Sequence, residues 1–414
     1  MGKPVVNGII AEYNPFHNGH AFQLNDAKAQ TGAKYTIAVM SGNYMQRGTP
    51  AIIHKFKRTE MALRSGVDLV LEIPVLYSTG SAEFFATGAV ALLDKLGVVS
   101  HLCFGSECGD LSVLNRLADV LCSETPEYTE CLNQGLRQGY SFPAARSEAI
   151  ARLHPDLVNC QDILGQSNNI LAIEYLKALK KRNSNISPIT TTRCVSNYND
   201  RYLGSYQSSS LAIRQAIYDN CDMNCLAPQM PDSAFPILKE SLEKESPIRL
   251  DDFSRILHYK LIIDSEKKYT EYMDVNKELS DRIYNSLDQF DSFRGFCDLL
   301  KTKNITYTRV SRCLMHILLD IRKTDVEHAA SMDYAPYARV LGFRREAEPL
   351  LSEIKTYSSI PLITKLADAE KLLNADAFSM LQKELRMNSV YESTAALKVG
   401  SDITNEYRSP LVIV

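Results

Sequence analysis

Alternation is what most constrains this chain. Short apolar, β-branched runs at 5–11, 35–40 (YTIAVM), 67–73 (VDLVLEI) and 99–104 (VSHLCF) are separated by helical patterns at 21–31, 55–65 and 81–96. Strands separated by helices must pair in parallel through right-handed crossovers, which predicts an α/β fold with a Rossmann-like parallel sheet. Ligands of such sheets bind beyond the carboxyl ends of the strands. Three of those ends carry polar or glycine-containing turns, "EYNPFHNGH", "SGNYMQRG" and "FGSECGD". Their convergence on one crevice is the expectation.

Further along, 111–185 reads as helical, a strand is expected within 186–195, and "SSSLAIR" opens another helix at 208–214. The stretch 220–236 holds three prolines and little periodicity, so it is the expected domain boundary. Beyond it the pattern is almost wholly helical, at 251–264, 276–302, 307–323 and 361–387. A chain of 414 residues accommodates two or three domains. The expected division is an α/β domain over 1–220, whose strand ends carry the candidate site, and a mainly helical domain over 221–414.

Composition excludes several classes. No run approaches the roughly 20 apolar residues that span a bilayer, and the opening MGKPVV lacks the apolar core of a secretory signal. Ten cysteines are scattered without a disulfide-dense frame, which predicts reduced thiols in a cytoplasmic protein. A net charge of −3 excludes a globally basic nucleic-acid binder, so any RNA contact must use local patches.

The chemistry concentrates at the first turn. Asn14-Pro15 ends the strand, and His17, Asn18, Gly19 and His20 follow where a helix begins. A helix start favours anions through its unpaired amides and dipole, and Gly19 admits a ligand close to the backbone. One histidine capping the helix and the other bonding a carbonyl is the structural alternative. A zinc pair is poor without a third ligand nearby. Strand, proline turn, glycine and helix start together resemble the HIGH-type signature of nucleotidyltransferases, in which two imidazoles hold the phosphates of ATP. Downstream, "SSSLAIR" resembles the second signature of that superfamily, with Leu211 where threonine is usual; Ser209 and Arg214 are its candidate phosphate contacts. Asn43, Gln46 and Arg47, after the second strand, are candidates for a wall of the acceptor site. Three basic clusters, around KALKKR, YTRVSRCLMHILLDIRK and RVLGFRREAE, offer Arg309, Arg312, Lys323, Arg344 and Arg345 as candidate contacts to an RNA phosphate backbone, though such charges are more often a solvated face.

Taken together, "AEYNPFHNGH", "SGNYMQRGTPAI", "FGSECGD", "SNNILAIEYLKAL" and "TRVSRCLMHILLDI" resemble the bacterial tRNA(Met) cytidine acetate ligases over most of the chain. That resemblance implies ATP-dependent activation of acetate to acetyl-adenylate, with transfer of the acetyl group to N4 of the wobble cytidine of elongator tRNA(Met). It implies ATP as co-substrate, with Mg2+, and no tightly bound cofactor. It casts His17 and His20 as catalytic. Its ATP-binding segment maps onto Ile10, Ala11, Glu12, Tyr13, Asn14, Pro15, Phe16, His17, Asn18, Gly19, His20, Ala21, Phe22 and Gln23. Its isolated nucleotide contacts map onto Gly105, Asn168 and Arg193. Two rival readings are a small-molecule adenylyltransferase without RNA, against which the long second half speaks, and a non-catalytic RNA-binding protein.

Overall fold

The computed structural model describes residues 4–193, 203 and 208–414, apart from 124, 141, 158 and 159. Five parallel strands form the frame: β1 (Val6–Ala11), β2 (Tyr35–Ser41), and, after a small antiparallel hairpin of β3 (Tyr44–Met45) and β4 (Thr49–Pro50), β5 (Leu69–Ile73), β6 (His101–Ser106) and β7 (Ser187–Thr192). Their order across the sheet is β5-β2-β1-β6-β7. The chain thus builds outward from β1 on one side, then returns to build outward on the other. The reversal between β1 and β6 is a topological switch point, where the loops leaving two adjacent strands diverge and open a crevice.

Every residue of β2 and β5 is buried, as a sheet covered on both faces requires. Alternate side chains divide between the faces. Ile37, Val39, Leu69 and Leu71 pack with Leu92 and Leu93 of the helix Ala82–Lys95. Ala38, Met40 and Val70 pack with Leu24 and Ala27 of the helix Asn18–Thr31 and with Met61 and Ala62 of the helix Lys55–Arg64. The predicted strand within 186–195 is realised as β7; residues 194 and 195 lie outside the described residues.

The second half adds strands to the almost wholly helical pattern expected of it. Residues 338–343 form β8 (Ala338–Phe343), buried throughout and antiparallel to β5, with Leu69 opposite Phe343 and Glu72 opposite Arg339. β9 (Leu362–Ile363) and β10 (Val412–Ile413) pair with β8 and complete an eight-stranded sheet among the described residues. The reason is periodicity: "ARVLGF" is a short apolar run bounded by arginine, and burial on both faces removes the alternation that marks a strand. The helical expectations also shift in detail. The segment 276–302 divides into Lys277–Asn285 and Phe293–Leu300, the helix at 307 ends at Leu318, and the last long helix runs Ala375–Val399.

The proline-rich stretch 220–236 is not a free linker. Its two 3-10 turns bury Leu226 and Met230 in the core with Leu24 and Ile213, and Asn18 donates to the carbonyl of Pro228 at 2.8 Å. A cut at 220 would part β5 from its strand partner β8. No helix among the described residues is long and apolar enough to cross a membrane, and the eight described cysteines are free thiols.

Candidate active site

The turn after β1 is built to bring two imidazoles together at the start of a helix. Tyr13 takes a left-handed backbone conformation (φ 47°), Asn14-Pro15 is cis, and His17 becomes the N-cap of the helix Asn18–Thr31 in extended conformation. Nδ1 of His17 accepts the Gly19 N–H at 3.0 Å, and Nδ1 of His20 accepts the His17 N–H at 3.2 Å. This reciprocal capping box uses histidine for both members. A ring nitrogen that accepts has no proton, so both neutral rings carry theirs on Nε2. The rings stack with centroids 3.8 Å apart, and Tyr13 and Phe16 fix His20 at 4.9 and 5.5 Å. The pair therefore carries two neighbouring Nε2–H donors on rings tilted 31° to each other.

Both rings are held neutral. Burial first, then the charges of Arg193 and Arg214, push His17 down to about 3. Packing between aromatic neighbours, then His17 and Arg193, holds His20 well below its ordinary value. Those causes also locate the arginines: each is close enough to act on an imidazole.

Arg214 reaches the site from the helix Ser210–Tyr218, donating from Nη1 to the carbonyl of Asn14 at 2.5 Å; Ser209 caps that helix by accepting the Ala212 N–H at 3.1 Å. Across the switch point, Arg193 donates to Oδ1 of Asn168 at 2.9 Å and lies over Gly105, where a Cβ would come within 3.1 Å of its Cγ. Gly105, Asn168 and Arg193, separated by 88 residues in sequence, thus form one group. Glu107 organises it: its carboxylate accepts the N–H groups of Asn168 and Asn169 at 3.1 and 2.7 Å, and the amide of Asn168 at 2.7 Å. Asn169 returns the clasp, accepting the Glu107 and Cys108 N–H groups. Glu107 is not among the sequence candidates; a carboxylate one residue past a strand end, opposite a helix N-terminus, is the signal that marks it.

Within Ile10–Gln23 the roles divide. Asn14 accepts the Ile52 N–H at 2.9 Å through Oδ1, and Gln23 donates to the Cys103 carbonyl at 3.4 Å. Ile10, Ala11 and Ala21 pack against the core, Pro15 and Phe16 are buried, and Phe22 is exposed. Glu12 accepts the Gln46 N–H at 2.8 Å, which brings the β3–β4 hairpin onto the exit of β1. Gln46 and Arg47 stand half-buried at the rim, Gln46 donating to the Gly80 carbonyl at 3.2 Å. Asn43 is fully buried behind them; its Oδ1 accepts the Lys55 N–H and its amide faces Glu392.

The candidate RNA contacts separate into two places. Arg309 and Arg312 lie on the helix Tyr307–Leu318, whose Ser311 donates to the Gly48 carbonyl of the hairpin at 2.9 Å; Arg312 is paired with Asp274 at 3.4 Å. Lys323 faces Lys181 and Arg182 across a cleft of about 860 Å³ between the two halves. Arg344 and Arg345 follow β8, whose antiparallel direction carries them to the amino ends of the parallel strands, away from the histidines. There Arg344 pairs with Asp68 at 3.7 Å, and Arg345 is exposed.

Paired imidazoles at the switch point of a parallel sheet, with two arginines beside them, define a nucleotidyl transferase of the HIGH type. The model of the family HIGH Nucleotidyl Transferase matches residues 5–406. The chain is 41% identical over 407 residues to a tRNA(Met) cytidine acetate ligase of Thermoanaerobacter sp. (strain X514), covering 98% of both chains. It is 37% identical to the protein of that name from Acetivibrio thermocellus, covering 96% of this chain and 98% of the relative. The crystal structure of Thermotoga maritima TmcAL, in an apo form, superposes with a TM-score of 0.92 at 30% identity, covering 99% of both chains; a form bound with alpha-thio ATP gives 0.90. The chain belongs to the tRNA(Met) cytidine acetate ligase family, whose members are ATP-dependent ligases.

Proposed function

We propose that this protein activates acetate with ATP and transfers the acetyl group to N4 of the wobble cytidine of elongator tRNA(Met), in the cytoplasm. The observation that carries the reading is the pair of neutral imidazoles, both proton-bearing at Nε2, at the open end of the β1–β6 crevice. Acetate is a poor electrophile, so its carboxylate oxygen must first attack the α-phosphate of ATP and expel pyrophosphate. That step needs positioning and charge stabilisation at phosphorus more than a strong base. His17 and His20 donate to the developing phosphoryl charge, Arg214 and Arg193 offset it, and Gly105 with Asn168 receives the nucleoside. ATP arrives as its Mg2+ complex. The exocyclic amine of cytidine then attacks the acyl carbon and AMP leaves. A wobble base lies in a single-stranded loop and can be splayed into a pocket cheaply. Asn43, Gln46 and Arg47 belong to the hairpin segment facing it. Arg309, Arg312 and Lys323, on that side of the molecule, are the nearer candidates for the RNA backbone, and Arg344 and Arg345 the more remote.

Acetate-dependent exchange of labelled pyrophosphate into ATP tests the first step without RNA. Exchange is expected, and His20→Ala should reduce it on the order of 100-fold, as loss of one positioned donor does. Absence of exchange, with or without tRNA, would overturn the adenylation reading. Exchange with failure to acetylate tRNA would favour a small-molecule ligase.

A further inference from the structure

Arg58 is fully buried in the helix Lys55–Arg64, yet among the described residues no carboxylate lies within ion-pair distance of its guanidinium. Its partners are backbone carbonyls. Nη1 donates to Glu12 at 2.7 Å and to Ser41 at 3.0 Å, Nη2 donates to Gly42, and Nε donates to Ile53 at 3.3 Å. A buried guanidinium with no carboxylate in direct contact is costly, even with the charges of Glu12 and Glu72 nearby, and the exposed face of the helix would be the easier place for an arginine. The three carbonyls of Glu12, Ser41 and Gly42 share one property: they are where β1 and β2 end and the loops of the site begin. Burial lowers the guanidinium to about 10, so it remains a cation at neutral pH.

We infer that Arg58 is a positioning residue for adenylation, acting on His20 through the backbone of the β1 exit. The physical chain is short. Arg58 holds the Glu12 carbonyl while Glu12 Oε1 accepts the Gln46 N–H, so the peptide leaving β1 is fixed from two sides. The next residue, Tyr13, takes a left-handed conformation that a bulky side chain adopts only under constraint. In that conformation the Tyr13 ring meets His20 edge-on, at 4.9 Å. Without the clamp, Tyr13 relaxes towards ordinary backbone angles and the wall that orients the imidazole leaves with it. A lysine cannot replace the fork: its three donors diverge from one atom, whereas the guanidinium spans carbonyls of two strands in one plane.

The inference rests on the adenylation reading for its kinetic measurement alone, so a second measurement reads the geometry directly. Full-length Arg58→Lys is compared with wild type by ring NMR of labelled histidines, with His20→Gln assigning the His20 signals, and by ATP titration and pyrophosphate exchange. Displaced or broadened His20 signals are expected, with exchange turnover reduced roughly 30- to 100-fold, the scale of an ångström misplacement. ATP affinity should change by less than about 5-fold, because the Gly105–Asn168–Arg193 group does not touch Arg58. A folded variant with unmoved His20 signals would overturn the inference, whether or not wild type exchanges pyrophosphate. So would turnover within about 3-fold of wild type. Arg58→Gln is the second variant; if neither folds, the guanidinium serves the fold itself and the positioning role falls.

Discussion

At the histidine corner every cap partner lies within three residues: His17 serves Gly19, and His20 serves His17. The charged layer beside β5 is assembled the other way. Lys55 meets Glu72 at 2.6 Å, Arg339 meets Glu72 at 2.8 Å and Glu406 at 2.9 Å, and Lys55 also contacts Glu406. These residues come from the first helix after the hairpin, from β5, from β8 and from the tail beyond the last helix. Glu384 sits among them; burial, then the charge of Glu72, raises its carboxyl to about 8, so it is neutral at pH 7 and two cations face two carboxylates. One region folds on its own sequence, the other on the whole chain. Yet the second supports the first, because the helix that begins at Lys55 carries Arg58. The hairpin beside it is likewise held by the last helix: Tyr44 donates to the Met387 carbonyl there, and Tyr391 of that helix donates to the Ala51 carbonyl just after β4, both at 3.0 Å.

The largest test of this dependence is truncation. A fragment ending at Pro231 keeps both histidines, Arg193 and Arg214, but loses β8, the last helix and both ion partners supplied by Arg339 and Glu406. The edge of β5 would be bare and Lys55 would be half-compensated. We expect no cooperative melt by circular dichroism and no ATP binding. A fragment that melts cooperatively and binds ATP like the full chain would show that the corner needs nothing from the second half.

A smaller change probes the layer alone. Glu406→Gln leaves two buried cations facing one carboxylate and should lower unfolding free energy by about 3–5 kcal/mol in denaturant titration. Burial opposes the Glu406 charge, but Lys55 and Arg339 outweigh it and hold the carboxyl down to about 2. A depressed carboxyl contributes stability above its ordinary value of 4.5 and loses it as pH falls from there towards 2. The variant should therefore lose part of the wild-type acid sensitivity within that window. An unchanged midpoint would mean that the layer is held by packing rather than by charge.

The same contrast explains what the sequence revealed. The four early strands and the helices between them were legible because each is a local pattern, and the histidine frame was legible because its capping partners are three residues apart. Gly105, Asn168 and Arg193 reached one list only through family resemblance, since nothing local ties a glycine to an arginine 88 positions on. Arg58 and Lys55 stayed hidden although they are spaced i, i+3 on the face that also buries Met61 and Ala62; a helical cation is ordinarily solvated, and only the strand ends reveal what these two meet. β8 stayed hidden for the opposite reason, an apolar run too uniform to declare its period.

The most delicate test returns to His17. Its imidazole sits near 3 in the folded protein, against 6.5 for an unburied ring. The folded state therefore binds fewer protons than the unfolded state between those values. Stability from this group is complete above 6.5 and drains away as pH falls towards 3. Between pH 7 and pH 5 one such histidine accounts for about 2 kcal/mol. His17→Asn removes the titration while leaving an oxygen that accepts the Gly19 N–H, since asparagine is a good N-cap. Unfolding free energies measured at pH 7 and pH 5 should differ by about 2 kcal/mol less in the variant than in wild type. His20 remains in both proteins, and burial, the larger cause of its lowered value, is common to both, so the difference reports chiefly on His17. Equal slopes would mean that folding leaves the His17 imidazole near its ordinary value of 6.5, and that burial at the corner does not hold the ring neutral below that pH.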